Sequence, residues 1–210
     1  MKGVLNTALF LSALLVFQIT GAAGTVEQFS IRPKLDGWVF SNGPEYPGAK
    51  GAMEYSRGAL ELNGDFSGGG DYVAVTHAVE ASDFNELRFK VKASVIQLAV
   101  RFRDAQRQVH QHFVSVGLGT EDWIELTIPV VGSPQNHWDG ANDGIMRGPV
   151  REISFVVHKK HFPGPKGSVL IKDVRLYRNH TSPEVPLDIA KFDPARASIP
   201  VTDRIRTAVG

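Results

Sequence analysis

Between residues 26 and 177 apolar and polar side chains alternate with a period of two, and turn residues interrupt the alternation about every eight to twelve positions. The runs that read as strands are 26–31, 37–40, 52–55, 59–63, 71–79, 86–93, 96–103, 108–116, 123–129, 151–158 and 168–177. Ser41-Asn42-Gly43-Pro44, Asn63-Gly64-Asp65, Gly68-Gly69-Gly70, Asp139-Gly140 and Pro163-Gly164-Pro165 supply the positive φ angles and fixed proline φ that tight connections require. Ile96, Leu98, Val100 and Phe102 point one way, and Gln97, Ala99, Arg101 and Arg103 the other. Leu87, Phe89 and Val91 oppose Arg88, Lys90 and Lys92 in the same manner, as Ile153, Phe155 and Val157 oppose Glu152, Ser154 and His158. Each such strand gives one face to a core, which predicts an all-β sandwich or barrel with no amphipathic helix in its body.

The two ends depart from this pattern. Met1 and Lys2 precede an apolar run over residues 8–17, and Gly21, Ala22, Ala23 and Gly24 follow it. A positive start, a short apolar middle and a small-residue exit read as a secretory signal peptide over residues 1–23, with cleavage near Ala23 or Gly24. About ten apolar residues are too few to span a bilayer. The domain is expected over 25–178 and an extended linker or tail over 179–210, where Pro183, Pro186, Pro194 and Pro200 fall among scattered charges.

Composition narrows the function. The chain has 210 residues, 23 Lys plus Arg against 22 Asp plus Glu, and no cysteine. The near-zero net charge, with no basic stripe, argues against a nucleic acid partner. Without cysteine the exported domain has no disulfide scaffold and must rest on its core. A secreted or periplasmic bacterial protein, monomeric and off the membrane once its leader is removed, is the expectation.

Candidate chemistry gathers on the hairpin over residues 96–116, whose turn is expected at 104–106. With Val109, Gln111 and Phe113 assigned to the core, Gln108, His110 and His112 project with Gln97, Arg101 and Arg103 from the outer sheet face. His158, Tyr72 and Thr76 join them from other strands. Stackable rings and forked donors suit a sugar, whose C–H faces want aromatic partners and whose hydroxyls want bidentate ones. This assignment hangs on register, since a slip of one residue exchanges the two faces. His110 and His112 with His158 also offer imidazoles at metal-binding spacing, with no carboxylate or cysteine to complete the set. Trp138 lies in a polar, glycine-rich loop over 136–144, where Asp139, Asn142 and Asp143 are placed to bond hydroxyls around a stacked sugar. Trp38 and Trp123 sit inside strand patterns and are assigned to the core. No hydrolase or phosphate-loop motif is present.

Gly58-Ala59-Leu60-Glu61-Leu62-Asn63-Gly64, Tyr72-Val73-Ala74-Val75 and the run 86–93 resemble the jelly-roll, galactose-binding-like carbohydrate-binding modules found beside bacterial glycoside hydrolases. Asp122-Trp123-Ile124-Glu125 and Val169-Leu170-Ile171-Lys172-Asp173 fit the same pattern, so the resemblance covers 26–177. It implies a jelly-roll β-sandwich of two antiparallel sheets that binds polysaccharide or oligosaccharide without cutting it. It also implies a structural calcium ion held by Glu27 and Asp173 with backbone carbonyls. No catalytic domain follows, so a truncated part of a glycoside hydrolase and a free-standing binder are both open.

Two alternatives stand beside it. Gln108-Val109-His110 is similar to the central motif of jelly-roll alginate lyases, but the tyrosine motif that would protonate the leaving group is missing. A sandwich that is structural or binds another protein, with no sugar site, fits the same strand pattern, because folds of this class host many functions.

Overall fold

The computed structural model describes residues 23–117 and 122–179. The alternating runs become strands β1 (Gly24–Gln28), β2 (Trp38–Ser41), β3 (Lys50–Ser56), β4 (Ala59–Asp65), β5 (Tyr72–Ala78) and β6 (Glu86–Ala93). They continue as β7 (Gln97–Arg103), β8 (Val109–Ser115), β9 (Ile124–Pro129), β10 (His137–Trp138), β11 (Glu152–His158) and β12 (Lys166–Arg178). Every expected strand has its counterpart. The short β10 has none in the alternation, because two residues in a glycine-rich loop carry no period.

The strands form a sandwich of two antiparallel sheets. One runs β3-β4-β12-β6-β9, with β1 paired to the second half of β12, and the other runs β10-β8-β7-β11-β5-β2. β12 serves two neighbours on one side because it carries a bulge between Lys172 and Arg175, where Asp173 adopts φ 53°. The inward halves of the alternating strands meet between the sheets: Leu87, Phe89 and Val91 from β6 face Leu98, Val100 and Phe102 from β7 and Ile153, Phe155 and Val157 from β11. Phe89 and Phe155 pack edge to face across the gap at 4.8 Å between centroids, and Trp38 stacks on Phe155 at 6.0 Å. Burying each such ring stabilises the fold by about 2–3 kcal/mol relative to leaving it in water.

Trp38 takes its assigned core position, but Trp123 does not. Glu125 pairs with Lys90 across β9 and β6, so odd positions of this run face outward. Trp123 is partly exposed, with the ammonium of Lys172 4.1 Å and that of Lys92 5.6 Å from its ring centroid. The expected leader over 1–23 and the expected tail over 179–210 lie outside the described residues apart from Ala23 and Asn179. No helix among the described residues is long and apolar enough to cross a membrane.

Candidate functional site

Residues directly opposite one another in an antiparallel pair project to the same side. Across β7 and β8, Arg103 faces Val109, Arg101 faces Gln111 and Ala99 faces Phe113. On the other flank of β7, Arg103 faces Glu152 and Arg101 faces Ser154 of β11, and β11 in turn sets Ser154 beside Thr76 and His158 beside Tyr72 of β5. β10 pairs with β8 so that Trp138 stands opposite Val109. The outer face of this sheet therefore carries Trp138, Gln111, Arg101, Arg103, Ser154, His158 and Tyr72 side by side.

These residues line a cleft of about 570 Å³, bounded at its margin by Ser41 at the end of β2, by Glu45 and Tyr46 from the segment after it, and by Asp139 beyond Trp138. Arg101 occupies its centre. The guanidinium carbon lies 4.7 Å from the Tyr72 ring centroid and 4.9 Å from that of Trp138, so the cation is held between two aromatic faces. Its Nε donates to Oε1 of Gln111 at 2.8 Å, and Nε2 of His158 reaches the same oxygen at 3.4 Å. Oε1 of Gln111 is thus committed, while its Nε2 makes no protein hydrogen bond among the described residues and is free to donate into the cleft. Arg103 is engaged otherwise, donating from Nε to Glu152 at 2.9 Å and lying 3.7 Å from the Asp139 carboxylate.

Burial shapes the charges. The Tyr72 hydroxyl donates to the Glu45 carboxylate. Desolvation, and then that bond, push the phenol above its ordinary range, and the same bond holds Glu45 below the usual carboxylate value. Desolvation, assisted by the charge of Arg101, lowers His158 to about 4, so its ring is neutral at neutral pH and acts as a stacking and donor group. Beneath the rings, Tyr72, Ala74, Ala99 and Val156 form a second buried apolar cluster, against which Phe113 packs.

No protein-family model matches the chain. No curated protein matches it. Solved structures do. A variant of a family 29 carbohydrate-binding module is 17% identical, covering 74% of this chain and 91% of its own, with a TM-score of 0.46. A variant of such a module complexed with mannohexaose is 16% identical, covering 75% and 93%, with a TM-score of 0.48. An agarase is 13% identical, covering 76% of this chain but 25% of its own length, with a TM-score of 0.49.

Of the residues singled out from the sequence, Tyr72, Arg101, Arg103, Trp138, Asp139, His158 and Thr76 line the cleft. Gln97 lies on the same face at the far end of β7, opposite Ser115, and Asn142 sits on the exposed loop with its N–H bonded to the Asp139 carbonyl; neither lines it. Gln108, His110 and His112 require a correction. The hairpin loop spans Asp104 to Gln108, closed by the bond from the Asp104 N–H to the Gln108 carbonyl, and Arg107 within it takes φ 70°. That loop sets odd residues of β8 opposite odd residues of β7 and turns Gln108, His110 and His112 to the inner side. Gln108 and His110 are 0% exposed. His112 bonds the Val131 carbonyl at 3.1 Å, and burial lowers its pKa. The three share no face with His158, so they do not make the imidazole set that the spacing offered, nor do Gln108 and His110 present the lyase-like pair to the cleft. In their place the cleft has Gln111, together with Glu45, which sequence reading missed because it lies in a connection far from the hairpin.

The two residues that the resemblance implies for calcium each have a protein partner. Glu27 accepts the Ala81 N–H at 2.8 Å, and Asp173 pairs with Lys90 at 3.0 Å. Among the described residues no group of three or more His, Cys, Asp or Glu gathers to hold a metal.

Proposed function

We propose that the chain binds carbohydrate non-catalytically, in the cleft on the outer face of the β10-β8-β7-β11-β5-β2 sheet. The observation that carries this reading is the guanidinium of Arg101 between the rings of Tyr72 and Trp138, with the free amide donor of Gln111 beside it. Flat rings at the margin suit the C–H faces of a pyranose. Forked donors from Arg101 and Gln111, and carboxylate acceptors from Glu45 and Asp139, suit its hydroxyls, each of which both donates and accepts. The open cleft admits a polymer without enclosing it.

In the same reading the protein is exported and serves a glycoside hydrolase, delivering it to polysaccharide. Lys2, the apolar run over 8–17 and the small residues over 21–24 support export.

The test is retention of residues 25–210 on a panel of insoluble polysaccharides and a glycan array, with mass spectrometry of any polymer released. Selective retention without cleavage is the expected result. Cleavage products would overturn the non-catalytic reading, and no retention on any glycan would overturn carbohydrate binding itself.

A further inference from the structure

Gln108, His110 and Asp104 are polar, fully buried and outside the cleft, which leaves a cost to be explained, since burying such groups is unfavourable unless each is satisfied. More than half of their partners lie in one segment. Oε1 of Gln108 accepts the N–H groups of Asp143 at 2.7 Å and Gly144 at 3.3 Å, and its Nε2 donates to the Ile145 carbonyl at 3.0 Å and to the Asp143 carboxylate at 3.3 Å. Nδ1 of His110 accepts the Ser133 N–H at 3.2 Å, which places the ring proton on Nε2, facing Asp104 Oδ2 at 3.4 Å. Asp104 Oδ2 also accepts the Arg147 N–H at 3.1 Å, while its Oδ1 accepts the N–H groups of Gln106 and Gln108. Both ends of the segment 133–147 are thereby fastened to the β7–β8 hairpin, and Trp138 is carried between them.

We infer that Gln108 is a positioning residue: with Asp104 and His110 it clamps the 133–147 loop so that Trp138 lies over Arg101. This rests on the proposed carbohydrate site for its functional meaning, but not for its geometry. β10 itself is only two residues long and is held to β8 through His137 and Trp138, too short a ladder to fix an indole unaided. Gly140 completes the seat. With φ 52°, it brings its Cα so close to the hairpin that a Cβ would meet the Gln106 carbonyl and the Gln108 nitrogen at 2.6 Å.

The experiment uses the three tryptophan indole N–H resonances of the isotope-labelled chain, with that of Trp138 assigned by its loss in Trp138→Ala. In Gln108→Leu the Trp138 resonance is expected to shift or broaden while those of Trp38 and Trp123 stay in place, and amide exchange at Asp143 and Gly144 is expected to rise. Asp143→Ala, which removes the exposed end of the same clamp, is expected to move the Trp138 resonance in the same direction and keeps the test open if Gln108→Leu does not fold. An unmoved Trp138 resonance in a folded variant would overturn the inference, whatever the glycan result. On a polysaccharide that the wild type retains, Gln108→Leu should weaken binding about tenfold and should add little to Trp138→Ala; full additivity would equally overturn it.

Discussion

Val109 stands opposite Arg103 across the hairpin of β7 and β8. That pairing decides which half of β8 meets the cleft: it turns Gln111 outward, where its carbonyl oxygen is shared by Arg101 and His158, and it sends Gln108 and His110 into the interior. Gln111→Ala should lower affinity for the retained polysaccharide about tenfold, the equivalent of about 1.4 kcal/mol, by freeing the Arg101 side chain and removing a donor. Calorimetric titration beside a thermal melt checks it, because the midpoint should move little.

Trp138 and Arg101 form one unit. Trp138→Ala is expected to weaken binding at least tenfold. Arg101→Lys should weaken it almost as much, although the charge is kept, because a lysine ammonium is neither planar nor able to present a fork. If Arg101→Lys bound as wild type does, the guanidinium plane would have no part in recognition.

His158 makes stability depend on pH. Its folded value of about 4 lies below the ordinary 6.5, with desolvation the main cause and the charges of Arg101, His161 and Lys160 adding to it. Between those values the unfolded chain holds the proton more readily than the native one, so stability is lost as pH falls from about 6.5 towards 4. His158→Gln should flatten this loss in denaturant titrations across the range. It should not abolish it, since burial also lowers His112 and His161.

Two aspartates near the cleft should behave oppositely. Asp104 is 0% exposed and accepts from three backbone N–H groups and the His110 ring, so Asp104→Ala should cost about 3 kcal/mol of stability. Asp139 has more than half its side chain in solvent, and Asp139→Ala should stay within about 0.5 kcal/mol. Urea unfolding of both variants measures the difference.

Because Glu27 and Asp173 are already engaged by Ala81 and Lys90, removal of divalent cations with EDTA should leave the thermal midpoint where it is. A midpoint that climbs with added calcium would show an ion site in the fold.

What the sequence determined by itself is the all-β sandwich. Strong alternation in β6, β7 and β11 states which side chains are buried without reference to any partner strand, and turn residues state where each run stops. It also turned Tyr72, Arg101, Arg103 and His158 away from the core, since that much follows from alternation alone, whereas the pairing of β11 with β5 and β7 gathered them on one sheet face. β8 was different. Val-His-Gln-His-Phe alternates equally well in either phase, and hydrophobicity favours putting Val109 and Phe113 inside. The tertiary structure decided the other phase, because the five-residue hairpin loop sets the register. The polar residues this turns inward are satisfied by backbone groups that lie 19 to 37 positions further along the chain. Phe113 in turn finds Ala99, Ala74 and Val156 on the outer face. The same long-range pairing fixed the place of Trp138, which no local pattern marks. Local periodicity records burial against an unspecified core, whereas register and loop docking depend on partners distant in sequence, and those exist only once the chain has folded.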